Sequence, residues 1–240
     1  MTASAIGLGV PAAAAAIVVG LEIRTAMMQG APFIASRLAT GVLLAEAVLG
    51  TLVAPIGGVL AGRETATRTA AAMIATAVAA GTAGALGLAT ALGGASALER
   101  GGAVIPHLVL GISALALAMF GTLCAAAFRD ELDAAAISVT AAVAIAFGVL
   151  IAGPLVEGWP AWANNAALTA SPLVAAASAA HVDVLRSDWL YRMSPIAHQR
   201  FDYPEWYAAA TWHGAVTLLL FACAAIVRSR RIVHDCSTRG

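Results

Sequence analysis

Residues 104–128 read VIPHLVLGISALALAMFGTLCAAAF, and this stretch decides the fold. Its 25 residues include no Asp, Glu, Lys or Arg. A bilayer core about 30 Å thick is crossed by about 20 helical residues, each rising about 1.5 Å, so the stretch is long enough to cross. Similar stretches run over 5–21, 38–62, 69–95, 134–156 and 208–227, and nearly every charge lies between them. The whole chain is 61% hydrophobic and 11% charged, with a mean hydropathy of +0.88. A soluble domain of 240 residues needs far more polar surface to stay dispersed. The sequence therefore predicts an all-α, polytopic membrane bundle of six transmembrane helices, forming a single domain over 1–240.

Composition excludes several kinds of chemistry. All 13 basic residues are arginine, and lysine is absent. A Walker-type phosphate loop and a lysine Schiff base are thus both ruled out. The net charge of zero gives no reason to expect nucleic acid as a partner. Cys124, Cys223 and Cys236 are unclustered, and two lie in apolar segments, so they read as small hydrophobes without a disulfide framework. No cofactor or metal is expected. His181 and Asp183, with His198 and Asp202, match no strong zinc spacing, and neither does His234-Asp235-Cys236.

The first apolar segment lacks a basic leader and is followed by Glu22 and Arg24, so it reads as a retained helix and not a signal peptide. Alanine and glycine dominate the spans, and small side chains let helix backbones approach closely in lipid. Gly58 and Gly62 form a GxxxG pair suited to a tight bundle or a dimer face. Arginine placement sets the orientation. With the N-terminus inside, the inner segments hold Arg63, Arg68, Arg129, Arg228, Arg230, Arg231 and Arg239, while the short outer loops hold Arg24, Arg37 and Arg100. Both termini are expected in the cytoplasm, with the chain in the cell membrane.

The long outer segment 157–207 breaks the pattern. Its apolar part, Ala166–Ala180, is interrupted by Ser171-Pro172 and is too short for an assured crossing. It suits a re-entrant or interfacial helix before the last span. A polar, aromatic run follows, with His181, Asp183, Trp189 and Tyr191, and then Trp206 and Tyr207 before the last span. These aromatic rings fit a belt at headgroup level.

Two helices, a short inner loop, two more helices, a second inner loop, a fifth helix, an outer re-entrant segment and a sixth helix resemble the permease subunit of type-2 ABC exporters. Three stretches carry the local likeness: Gly62–Thr69 entering the first inner loop, Phe128-Arg129-Asp130-Glu131 after the fourth span, and the Ser171-Pro172-Leu173 step after the fifth. The polar part of the first inner loop is shorter than the amphipathic coupling helix of that family. The resemblance implies a separate ATP-binding subunit docked on the inner loops, and a homodimer or a paired permease in the bilayer. It places Arg63, Glu64, Arg68, Arg129, Asp130 and Glu131 at the docking surface. As ordinary loop charges, the same residues would cap helices and set topology.

Glu46 stands alone among apolar neighbours in the second span. A carboxyl at such depth is costly unless it is paired, protonated or facing water, which makes it a candidate for a substrate path or a helix anchor. His107 and His213 lie near the starts of their spans, where hydrogen bonding suits them better than catalysis. Gly111-Ile112-Ser113-Ala114 and Trp212-His213-Gly214 faintly resemble the serine and histidine segments of rhomboid proteases. Ala114 stands where that family has glycine, and Ser113 is expected to bond back to its own helix instead. An enzyme is not expected. A scaffold subunit of a membrane complex is the remaining alternative to the permease.

Overall fold

Residues 32–62, 104–156, 158–180 and 203–237 are described in the computed structural model, and all their regular structure is helical. The helices are α1 (Pro32–Ala61), α2 (Val104–Ala127), α3 (Glu131–Val156), α4 (Ala161–Ala170), α5 (Pro172–Ala179) and α6 (Trp206–Ser237). Three contain segments long and apolar enough to cross a membrane: Ile105–Ala127, Glu131–Val149 and Trp206–Arg230. They coincide with the crossings expected over 104–128, 134–156 and 208–227. The stretch 38–62 falls within α1, which holds a shorter apolar run over Glu46–Ala61. The stretches 5–21 and 69–95 lie outside the described residues, as do Arg63, Glu64, Arg68, His181, Asp183, Trp189 and Tyr191.

α1 and α2 run side by side in the same direction. Glu46 meets His107 near one end, and Gly62 meets Thr122 and Ala125 near the other. Between these points the backbones nearly touch. A Cβ on Gly58 would overlap the Ala118 carbonyl, and one on Gly121 would overlap the Pro55 carbonyl. Glycine from each helix thus admits a carbonyl of the other, which is how small residues drive packing where lipid is as apolar as the protein. The Thr122 hydroxyl donates to Gly58 O at 3.1 Å and shares that proton with Ala118 O at 3.1 Å. The Gly58/Gly62 pair is therefore spent inside the chain, against α2.

Asp130 starts α3. Its Oδ1 accepts the Leu132 N–H at 2.7 Å, as an N-cap does, and Glu131 and Asp133 follow in the first turn, where the helix dipole favours acids. α3 then returns antiparallel to α2, with Ala134 packed on Val59, Cys124 and Ala125. At the same end of the bundle, the Arg228 guanidinium of α6 donates to Gly62 O, just past the last turn of α1, where a cation also complements the dipole. At the opposite end, Ala209 of α6 shares a buried cluster with Val109 of α2. α6 is thus parallel to α1 and α2. Its outward face carries exposed Leu218, Leu219, Phe221 and Ile226, the surface a bilayer covers.

The glycine contact predicts the first test. Gly58→Leu and Gly121→Leu should each destabilise the protein by about 1–3 kcal/mol, the usual range for an overpacked core. The readout is a lowered Tm in detergent. Gly148→Ala should leave the Tm unchanged or higher, because no atom lies within 4 Å of a Cβ there. Equal effects at all three positions would contradict the packing.

Candidate functional site

Between α3 and α6 the chain folds back on itself inside the bundle. α4 starts at Pro160, at the end where α3 finishes, and runs inward to Ser171. There the Ser171 hydroxyl donates to Ala146 O of α3 at 2.7 Å, more than halfway along that helix. The same oxygen accepts the Val174 N–H, so Ser171 is the N-cap of α5, and Pro172 fills the first helical position, where no N–H is needed. The Ser171 N–H bonds the Ala167 and Leu168 carbonyls. The hydroxyl, N–H and carbonyl of Ser171 thereby all find partners, the carbonyl accepting from Ala175, as irregular backbone at membrane depth requires.

α5 then runs back toward the end where α4 began. Ala175 and Ala179 pack with Val109 and Ala209, close to the first turns of α2 and α6. The Ser178 hydroxyl donates to Pro204 O at 2.7 Å, just before α6 begins. All of α5 except Ser178 is buried, whereas Ala161, Trp162, Asn165 and Ala166 of α4 are exposed. The two helices form a hairpin with α5 inward, against α1 and α2, and α4 outward.

Ionisable groups gather in the layer occupied by this hairpin. Glu46 Oε2 lies 2.8 Å from His107 Nε2, with the side chains 7% and 4% exposed. That is an ion-pair distance, although the two atoms are off the line of a hydrogen bond, and Glu46 Oε1 has no donor among the described residues. Glu46 is therefore not isolated in its span. His213 is buried on α6 and reaches the backbone of Thr169, next to the hairpin turn. The groups sit nearer one end of the bundle than the sequence implies, because His107 is only the fourth residue of α2.

The two ends of the bundle differ in character. Trp159, Trp162, Trp206, Tyr207 and Trp212 are exposed at the hairpin end, with Trp206 and Tyr207 edge to face at a centroid distance of 5.9 Å. Rings of this kind anchor at headgroup level. The opposite end exposes Arg129, Asp130 and Glu131, and carries Arg228 and Arg230. Of the candidate docking residues, these first three are brought to one end, and Asp130 serves there as a helix cap.

Ser113 departs from expectation. It is buried, but its hydroxyl makes no hydrogen bond to its own helix or to any other described group. His213 Nε2 likewise has no partner, so the two atoms are not bonded to each other and form no serine–histidine dyad here. No group of three or more His, Cys, Asp and Glu side chains that could hold a metal occurs among the described residues.

Sequence reasoning missed the Glu46–His107 contact. A signal was present: Glu46 is the only charged residue in 38–62, and His107 is the only histidine in 104–128. Removing one partner of a buried ion pair strands the other and costs about 3–5 kcal/mol, while replacing both by apolar groups is often neutral. His107→Leu should therefore lower the Tm sharply, and Glu46→Leu/His107→Leu should recover most of the loss. A double variant no better than the single one would contradict the pairing. No family model matches the chain, and no curated protein or solved structure shows significant similarity to it.

Proposed function

We propose that this chain is the membrane-spanning permease subunit of an ABC-type transporter, moving its substrate with ATP hydrolysed by a separate subunit. The observation that carries this reading is the α4–α5 hairpin. It enters between the last two long helices from the aromatic end and turns beside Ala146 of α3. A re-entrant segment in that place is one part of the layout by which the sequence resembles type-2 exporter permeases.

Helix direction supports the same layout. α1 and α2 are parallel, so the chain leaves α1 at the charged end and enters α2 at the aromatic end. In the proposed layout 69–95 supplies the return crossing between those points, and 5–21 supplies the sixth. The charged end, with Arg129, Arg228, Arg230 and Arg231, faces the cytoplasm under the positive-inside rule. There Arg129, Asp130 and Glu131, with Arg63, Glu64 and Arg68 of the first inner loop, receive the ATPase.

Docking energy can drive transport only if it differs between two states of the membrane subunit. α1, α2 and α6 are tied at the charged end by the glycine contact and by Arg228 on Gly62, so they move there as one body. The hairpin, joined to α3 by Ser171 on Ala146 and to the segment before α6 by Ser178 on Pro204, is the part that shifts. A second copy or a paired permease completes the path.

Affinity purification in mild detergent, followed by mass spectrometry, tests the reading. A soluble partner with a Walker lysine should co-purify. Arg63→Glu with Arg129→Glu should reduce its recovery about tenfold, equivalent to about 1.4 kcal/mol, without changing membrane insertion. Recovery of enzyme subunits without an ATPase would overturn the proposal and make the chain a scaffold.

A further inference from the structure

We propose that Glu46 and His107 form a proton-binding site that holds α1 to α2 beside the hairpin and loosens when it takes up a second proton. The inference needs no ATPase and stands apart from the transporter reading.

The pair joins two parallel helices across a buried contact of 2.8 Å. Below it, toward the charged end, those helices are fixed by Gly58 and Gly121. At its own level the pair is a polar link between α1 and α2, as Thr122 on Gly58 O is lower down. α5 packs on both helices, with Ala175 and Ala179 against Val109 two residues from His107, so a change in their spacing reaches the hairpin directly.

Charge counting gives the direction. With one proton between them the two groups are neutral overall, either as carboxylate and imidazolium or as acid and imidazole. Only that state leaves no net charge in the apolar interior. A second proton makes the pair a cation without an internal attraction to hold it. Water must then enter, or the helices must part. The mobile proton enters from the aromatic end, because His107 lies three residues, about 4.5 Å of helical rise, from the start of α2.

The titratable groups of the described helices around the pair are few. α4 and α5 contain no titratable side chain. Glu131 and Asp133 of α3 and Cys124 of α2 lie at the charged end. On α6 the buried titratable group of this layer is His213, turned to Thr169, while Tyr207 is exposed. On α1 the only other charged residue is Arg37, nine residues before Glu46.

Spin labels at Gly50→Cys and Leu108→Cys test the proposal, in full-length protein in nanodiscs with the native cysteines replaced. A Cβ at Gly50 meets no atom within 4 Å, and Leu108 is 49% exposed, so neither label disturbs the core. Lowering the pH from about 8 to about 4, through the histidine and carboxyl ranges, should lengthen the distance between the labels. Glu46→Gln and His107→Gln should each abolish that response. A constant distance in the native pair, or an unchanged response in both variants, overturns the proposal. If the variants do not fold, pH-difference infrared spectroscopy on the unsubstituted protein decides. A buried carboxyl band must grow, or imidazolium bands must replace imidazole ones, as the pH falls, and the absence of both changes overturns the proposal.

Discussion

The structure depends on how closely α1 approaches α2. In lipid no hydrophobic force distinguishes a neighbouring helix from the surrounding tails, so association rests on van der Waals contact and hydrogen bonds. Gly58 supplies the contact by admitting the Ala118 carbonyl, and Gly121 by admitting the Pro55 carbonyl. Thr122 supplies a hydrogen bond across the same seam. That seam aligns Glu46 with His107, sets Gly62 where Arg228 reaches it, and leaves the groove that α5 fills. A bulkier residue at either glycine would move all three together.

The second requirement is polar satisfaction at depth. A chain that turns inside the bilayer must answer each free N–H and carbonyl locally. Ser171 does so with one hydroxyl, donating to α3 and accepting from α5, while Pro172 removes a donor that would otherwise need a partner. The hairpin is held by serine hydroxyls at its turn and at its exit, and by small apolar contacts along α5.

Much of this was legible in the sequence, for physical reasons. Spans such as 104–128 are visible because a bilayer imposes a length and forbids charge. The break at Ser171-Pro172 is visible because proline cannot continue a helix and serine favours its start. Trp206 and Tyr207 mark the boundary of the last span. Pairings between helices were not legible, since nothing local to Glu46 names His107, and nothing local to Arg228 names Gly62. The Gly58/Gly62 pattern announced a close helix contact but not its partner, which proved to be α2 of the same chain. Ser113 misled for a related reason: its expected bond to its own helix is a local rule, and the hydroxyl is not used that way.

The hairpin is the feature on which the functional reading rests, and its sidedness can be measured directly. In a cysteine-free background, Gly158→Cys and Glu205→Cys flank the hairpin, and Ser229→Cys marks the charged end. A membrane-impermeant thiol reagent applied to one side of sealed vesicles should label the first two from the same side and Ser229→Cys from the other. Labelling of positions 158 and 205 from opposite sides would mean that 161–180 crosses the membrane, and the account would be wrong.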